Sequence, residues 1–141
     1  TIDDLELPLE NIKVSHNPKT RILWSGPNIW LVLSKKKEII KIINKKCDDK
    51  NFAITDITHS RAIIEIKGKQ SKEILKKGCP FDFNEFKINN STSSIFHGIT
   101  FTIDCIEDNP ETFHLITLRS FGESLYHHIT DSSLEFGYVG V

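Results

Sequence analysis

The sequence predicts an α+β fold of antiparallel sheets with helices, in a duplicated ferredoxin-like pattern. Two segments, SRAIIEIKG at 60–68 and ETFHLITL at 111–118, place apolar residues at every second position, as half-buried strands do. The segment at 35–47 instead repeats its isoleucines at helical spacing, with lysines on the opposite face. The links between successive strands are of hairpin length, which implies antiparallel pairing. The predicted element order is therefore ββα–ββα–βββα.

The first 20 residues carry few regular signals. Leu5 and Leu7 alternate with acidic residues, and Pro8 interrupts the alternation. We expect residues 1–20 to form an extended N-terminal arm that docks on another surface. Residues 21–141 are then expected to form a single α+β domain of two half-units.

Turn and cap residues delimit the elements of this domain. Pro27 and Asn28 suit the turn in SGPN, which separates the first two predicted strands. Ser34 has the residue type of a helix N-cap, and Ser120 with Glu123 has the spacing of a capping box. The expected elements are strands at 21–24, 29–34, 51–57, 60–68 and 111–118, two strands separated near His97-Gly98, and helices at 35–47, at 70–77 and from 119.

The stretch LKKGCPFDF at 75–83 places one cysteine between a glycine and a proline. The two lysines suit the last turn of the preceding helix, Gly78 suits a left-handed residue after it, and Pro80 prevents continuation. A helix N-terminus favours a reactive thiolate, whereas Cys79 follows a helix C-terminus. We therefore interpret Cys79 as a structural residue.

Composition restricts the class of protein. The 141 residues carry a formal net charge of −1, unlike the basic excess of nucleic-acid-binding proteins. No apolar run is long enough to span a membrane, and the N-terminal stretch TIDDLELPLE lacks the pattern of a signal peptide. The three cysteines lie far apart, so we expect no disulfide and a cytoplasmic location.

No pattern in the sequence identifies a catalytic centre. The six histidines form no HExxH motif, and no Cys/His cluster has metal-ligand spacing. P-loop, GxGxxG and GxSxG motifs are also absent. We predict no catalytic, cofactor-binding or metal-binding residue in this chain. The lysine-rich face of the predicted helix at 35–47 fits an RNA-binding module, but the near-neutral net charge favours a solvated helix face.

Three stretches together resemble the gamma subunit family of heterotetrameric sarcosine oxidase. They are DITHSRAIIEIKG at 56–68, LKKGCPFDF at 75–83 and LRSFGESLYHHI…EFG at 118–137. WSGPNIWLVLS at 24–34 also resembles the tryptophan-containing opening of that family. Mild departures occur where this chain has Thr58, Ser60, Gly122 and Tyr126 in place of the family's Ser, Gly, Ala and Trp.

This resemblance implies a subunit of a larger complex with the fold of the aminomethyltransferase folate-binding domain. Its partners would be larger alpha and beta flavoprotein subunits and a small zinc-binding delta subunit, with no nucleic acid and no membrane. The complex would demethylate sarcosine oxidatively to glycine and transfer the one-carbon unit to tetrahydrofolate. FAD, FMN, NAD, tetrahydrofolate and zinc would lie on the partner subunits, and no cofactor on this chain.

Within this resemblance we expect a non-catalytic chain that stabilises the assembly. Its candidate structural or interface residues are His59, Arg61, Asp82 and Arg119, which all lie in the matching motifs. One alternative is a stand-alone folate-binding or aminomethyltransferase-like protein, which predicts that the isolated chain binds a tetrahydrofolate derivative. The other is the lysine-rich RNA-binding module, which predicts strongly salt-dependent binding.

Overall fold

The computed structural model describes all residues of the chain, Thr1–Val141. The chain divides into two compact units, Thr1–Thr58 and His59–Val141. Each unit combines antiparallel strands with helices, which confirms the predicted α+β class. None of the helices is both long enough and apolar enough to cross a membrane.

The first unit is a three-stranded antiparallel meander with one helix. Its elements are strands β1 (Ile12–His16), β2 (Thr20–Gly26) and β3 (Ile29–Ser34), followed by helix α1 (Ile39–Lys46). Strand β2 lies in the middle and pairs with both neighbours. As predicted, a turn joins β2 to β3, and Asn28 adopts a left-handed backbone there with φ of 58°. A small core forms around Ile2, Ile22 and Ile43.

A polar cluster around Asp3 orders the start of the chain. The carboxylate of Asp3 accepts hydrogen bonds from Thr20 Oγ1 at 2.6 Å and Asn17 Nδ2 at 3.1 Å, and it pairs with the Lys36 ammonium. These donors, Lys36 most strongly, lower the pKa of Asp3 to about 2. The segment predicted as an extended arm at 1–20 also contains strand β1, which the sequence pattern did not indicate.

Helix α1 starts later than the sequence predicts. The expected helix covered 35–47 with Ser34 as its cap, whereas α1 begins at Ile39 and has no side-chain cap. Ser34 stays in β3, where its Oγ lies 2.8 Å from Thr20 Oγ1 and accepts a hydrogen bond from the Lys36 amide at 3.1 Å. Its hydroxyl therefore ends the strand instead of starting the helix.

The predicted strand at 51–57 is wrong. This segment has no regular secondary structure and pairs with no strand. Ile54 is partly buried and packs against the small core of the first unit. The apolar alternation thus reflects side-chain burial without the backbone ladder that defines a strand.

The second unit is a four-stranded antiparallel sheet with two helices. Its strands follow the order β5-β6-β7-β4 and are β4 (Arg61–Lys67), β5 (Asn90–Phe96), β6 (Ile99–Asp108) and β7 (Glu111–Leu118). The helices are α2 (Ser71–Lys76) and α3 (Gly122–Ser132). Short 3-10 turns cover Thr58–Ser60, Phe83–Glu85 and Arg119–Phe121. The predicted break at His97-Gly98 is confirmed as the β5–β6 turn, where both residues have positive φ.

The apolar residues on one face of this sheet form the core of the second unit with both helices. Buried residues at alternate positions of the central strands include Ile103 in β6 and Leu115 in β7, both fully inaccessible to solvent. Leu75 of α2 and Leu125 of α3 join the same cluster. Burying each such side chain contributes roughly 1.5–3 kcal/mol to folding, so this face anchors the unit.

The turn after α2 differs from the prediction in one respect. Gly78 does not adopt a left-handed backbone. The amides of Gly78 and Cys79 both donate to the Leu75 carbonyl, at 3.2 and 2.9 Å, so the helical path continues until Pro80 stops it. Glycine is needed at this position for another reason, because a Cβ on Gly78 would lie 2.6 Å from the Phe96 ring.

The predicted capping box at the start of α3 is also wrong. Ser120 lies in a 3-10 turn, and α3 begins at Gly122 with no side-chain cap hydrogen bond. A Cβ on Gly122 would lie only 2.9 Å from Cβ of Ala62 in β4. Close packing of the helix start against β4, not side-chain capping, therefore accompanies the beginning of α3.

Candidate interaction surface

Three of the four candidate residues meet at one end of the β4–β7 ladder. His59 lies in the 3-10 turn before β4, Arg61 is the first residue of β4, and Arg119 follows the last residue of β7. The ladder pairs Arg61 with Leu118, and Arg119 Nη1 donates to the His59 carbonyl oxygen at 3.4 Å. Antiparallel pairing thus brings together two motifs that are far apart in the sequence.

Neither arginine of this group pairs with a carboxylate of the chain. Arg61 Nη1 donates to Oγ and to the carbonyl oxygen of Ser60, at 3.1 and 3.4 Å. Arg119 contacts the neutral carbonyl of His59 and is exposed, while Arg61 is half-buried. A guanidinium carries five donors in a planar fork, so both side chains keep donors for an external carboxylate.

Asp82 lies elsewhere and has a local role. It precedes the 3-10 turn Phe83–Glu85, and its carboxylate accepts a hydrogen bond from the Asn84 amide at 2.9 Å. Phe83 is almost completely buried and packs against Phe81, with ring centroids 4.2 Å apart. Asp82 therefore caps the turn that places these rings in the core, and the structure does not bring it to the arginines.

The outer face of the second unit's sheet, opposite α2 and α3, exposes large aliphatic side chains. Ile63 of β4, Leu118 of β7 and Ile95 of β5 are 52%, 44% and 45% exposed. The register places them on the same face as Arg61, because Ile63 pairs with Ile116 and Arg61 with Leu118. We call this surface, defined by Arg61, Ile63, Ile95 and Leu118 together with the adjoining Arg119, the outer face.

Sequence reasoning missed the outer face. The alternation in β4 predicts a polar outer side with Arg61, Glu65 and Lys67, although Ile63 stands between Arg61 and Glu65 on that side. An isoleucine among charged residues on the solvent side of a strand was the available signal. Ile63 alone does not show an exposed aliphatic patch; the patch is recognised only once the β4–β7 ladder places Leu118 next to it.

The two buried cysteines, Cys79 and Cys105, offer no activated nucleophile. Burial raises the pKa of the Cys79 thiol to about 11. Burial and the nearby Asp108 carboxylate raise the pKa of Cys105 to about 12. Cys79 is 6% exposed and belongs to the core of the second unit, in agreement with its interpretation as a structural cysteine.

The histidines do not assemble with acidic or cysteine side chains into a metal centre. No group of three or more His, Cys, Asp or Glu side chains is placed to hold a metal ion. The rings of His97 and His128 stack with centroids 4.7 Å apart, and His114 Nε2 lies 2.8 Å from a carboxylate oxygen of Glu65. The arrangement that stands out chemically is therefore the outer face with its two unpaired arginines.

Comparison with known proteins now identifies the family. The sarcosine oxidase gamma subunit family matches residues 2–135 of the chain. The chain belongs to the sarcosine oxidase gamma subunit family. The resemblance stated from the sequence motifs is thereby confirmed.

Two known proteins are similar to this chain in sequence or in fold. The sarcosine oxidase subunit gamma of Corynebacterium sp. (strain P-1) is 22% identical over 120 residues, which cover 83% of this chain and 58% of that protein. A chain of the heterotetrameric sarcosine oxidase from Corynebacterium sp. U-96, solved in complex with pyrrole 2-carboxylate, superposes with a TM-score of 0.86 at 20% identity. That match covers 97% of this chain and 71% of the solved chain, and it shows a shared fold.

Three of the motifs that resemble the sarcosine oxidase gamma subunit family place residues at the ends of elements in the second unit. His59 and Arg61 occupy the turn into β4, Gly78 and Cys79 the end of α2, and Arg119 the end of β7. Two of these motifs converge on the outer face, and the third sets the packing of α2 against Phe96. The matching residues in this chain thus lie either at a packing contact or on the exposed outer face.

Proposed function

We propose that this chain is the non-catalytic gamma subunit of a sarcosine-oxidase-type complex and that it stabilises the assembly. The observation that carries the proposal is the family match over residues 2–135. The complex would oxidatively demethylate sarcosine to glycine and pass the one-carbon unit to tetrahydrofolate. Its location would be the cytoplasm, as the absence of paired cysteine motifs suggests.

The cofactors of this complex are proposed to lie on its other subunits. FAD, FMN, NAD and tetrahydrofolate would belong to larger alpha and beta flavoprotein subunits, and zinc to a small delta subunit. The raised pKa values of Cys79 and Cys105 show that neither of these two buried thiols is activated. Its contribution would be binding surface, with His59, Arg61 and Arg119 at the interface and Asp82 in a structural role.

Co-expression tests this proposal directly. The chain would be expressed with the flavoprotein subunits from the same organism, and the mixture separated by size-exclusion chromatography monitored at flavin wavelengths. We expect the chain to elute with the flavin-bearing subunits, and its omission to lower complex yield or peroxide production. Elution of the chain alone and without colour, with full turnover by the remaining subunits, would contradict the proposal.

The two other candidate functions have their own readouts. A stand-alone folate-binding protein predicts that the isolated chain binds a tetrahydrofolate derivative, which a fluorescence titration measures. An RNA-binding module predicts affinity that falls steeply with added salt. No observation on the structure favours either of them over the subunit role.

A further inference from the structure

We propose that the outer face is the surface by which this chain binds a larger subunit, and that Arg61 and Arg119 receive carboxylates of that subunit there. The inference rests on the proposed function and names the surface and the chemistry of its occupant. Its two supports are an exposed aliphatic patch and two arginines without a carboxylate partner, both at the same end of the β4–β7 ladder.

The aliphatic side chains at the Arg61 end of the outer face are exposed, whereas Ile116, the ladder partner of Ile63 on the same face, is only 5% exposed. Helices α2 and α3 contribute to the core on the opposite side of the sheet. Ile63 and Leu118 are diagonal neighbours across the β4–β7 ladder, and each leaves about half of its surface in water. Clustered exposed aliphatic side chains on a sheet face are typical of a surface that binds another protein.

The two arginines determine which kind of partner surface can bind to the outer face. Interfaces are enriched in arginine, whose stem covers apolar surface while the guanidinium forms paired hydrogen bonds with a carboxylate. Arg61 and Arg119 have only hydroxyl and carbonyl acceptors within the chain. Partner carboxylates beside each guanidinium would satisfy donors that the isolated chain leaves to water. This geometry selects an acidic and apolar partner surface.

A second copy of the chain does not provide this complement. Glu65, on the same side of β4, already pairs with His114 at 2.8 Å. Asp104 is only 1% exposed, so its carboxylate is not available at the surface. Two outer faces brought together would oppose like charges at Arg61 and Arg119. The occupant is therefore a different protein, and family membership makes a larger subunit of the same complex the partner.

The experiment is a competition inside the assembling complex. Wild-type chain and one variant are co-expressed with the flavoprotein subunits, and intact mass spectrometry of the purified complex gives the ratio in which they are incorporated. The outer-face variants are Arg61→Ala, Arg119→Ala and Ile63→Asp. The matched controls are Lys67→Ala, at the far end of β4, and Ile29→Asp, which replaces an isoleucine that is 59% exposed in the first unit. Thermal unfolding of each isolated variant checks its fold.

We expect Arg61→Ala and Arg119→Ala to be incorporated at least about tenfold less than wild type, because truncating one partner of a buried charge pair weakens binding by at least that factor. Ile63→Asp should be incorporated less by a similar factor, because it places a carboxylate in the aliphatic patch. The controls should be incorporated about equally with wild type. Equal incorporation of all variants would overturn the inference while leaving the subunit role intact. Failure of the wild-type chain itself to join the complex would remove the proposed function, and the inference with it.

A photo-crosslinking measurement decides the case of a variant that fails to fold. p-Benzoylphenylalanine replaces Ile63 in one sample and Ile29 in another, because both isoleucines are exposed and tolerate a larger side chain. Crosslinks from position 63 to a larger subunit, without crosslinks from position 29, support the inference. Crosslinks from position 63 to a second copy of this chain, or none at all, overturn it.

Discussion

Replacement of Gly78 by alanine is the sharpest test of how the second unit is packed. A Cβ at this position would lie 2.6, 2.8 and 2.9 Å from three carbons of the Phe96 ring. Ordinary contacts of this kind start near 3.4 Å. Phe96 is fully buried and cannot move into water, so the ring or the end of α2 must shift.

The expected cost follows from this overlap. Forcing an extra methyl group into a well-packed core costs roughly 1–3 kcal/mol. Gly78 has a backbone that alanine adopts without strain, which by itself would stabilise the chain by roughly 0.4–1 kcal/mol. We therefore expect a net loss of about 1–2 kcal/mol in the free energy of unfolding, and a melting temperature lower by several degrees.

Urea titration followed by circular dichroism measures this change. Gly26→Ala is the matched control, because a Cβ there would meet Ile29 at 3.7 Å, an ordinary contact. The control should leave the free energy of unfolding within about 0.5 kcal/mol of wild type or raise it slightly. Phe96→Leu should reduce the cost of Gly78→Ala, since two residues in contact show a coupling energy of roughly 0.5–3 kcal/mol.

Two results would refute this reasoning. One is a Gly78→Ala variant as stable as wild type, which would mean that the close approach of α2 to Phe96 does not exist. The other is an unchanged cost in the Phe96→Leu background, which would assign the effect to the backbone of Gly78. The second result would restore the left-handed helix end that the sequence predicts.

Three further predictions concern the polar cluster, the thiols and the C-terminal segment. Asp3→Asn should make the free energy of unfolding less sensitive to pH between about 4 and about 2. The pKa of the Asp3 carboxylate is lowered to about 2, so the charged group stabilises the fold above this range and loses its effect as the pH falls through it. Thermal unfolding across this pH range measures the difference. A thiol reagent at about pH 8 should rapidly modify one thiol per folded chain, that of the partly exposed Cys47. The other two thiols should react slowly, because burial raises their pKa values. Cys47→Ser should abolish the fast phase of the reaction. Lys77→Ala should speed carboxypeptidase digestion of the C-terminal residues. Lys77 Nζ lies 2.5 Å from Glu135 and donates to the Ser132 carbonyl at 2.7 Å, so its loss releases this segment. Lys76→Ala is the matched control.

Each of these three predictions has a clear contrary result. A pH profile of Asp3→Asn parallel to that of wild type would show that the Asp3 cluster is not stabilising. Rapid modification of two or more thiols would show that Cys79 or Cys105 is accessible. Equal digestion of the Lys77 and Lys76 variants would show that the Lys77 contacts do not hold the C-terminal segment.

The sequence predicted those elements whose signal is carried by side chains alone. Strand β4 and strand β7 followed from alternation, because Ile64 and Leu115 must face the core while Glu65 and His114 face outward. The helix at 70–77 followed in the same way, and α2 spans Ser71–Lys76. In each case one buried face determines the period of the sequence.

Elements that depend on a distant partner could not be predicted in this way. Strand β1 is a strand because Val14 pairs with Leu23, and no local signal announces that ladder. Residues 51–57 have the same local pattern as a strand but lack a partner. Gly78 has the position of a helix C-cap in the sequence, and Gly122 lies inside the predicted capping box. Both glycines are instead needed for close contacts with Phe96 and Ala62, which are remote along the chain.

The candidate site was predicted in its residues but not in its form. Motif resemblance named His59, Arg61 and Arg119, and the β4–β7 ladder brings these three together. Asp82 was named on the same grounds but lies apart, since a motif match does not distinguish a turn cap from a surface residue. The aliphatic part of the outer face could be predicted only with the strand register, which pairs Arg61 with Leu118.

The position of β4 at the end of its sheet has a consequence for the chain before it meets any partner. An edge strand presents unpaired amide and carbonyl groups that can recruit a strand of another molecule and start aggregation. Arg61, Glu65 and Lys67 place three charges on this one strand of seven residues. Charges on an edge strand oppose such strand addition. The charged residues of the strand that presents Ile63 thus oppose aggregation of the chain between its synthesis and its assembly with a partner.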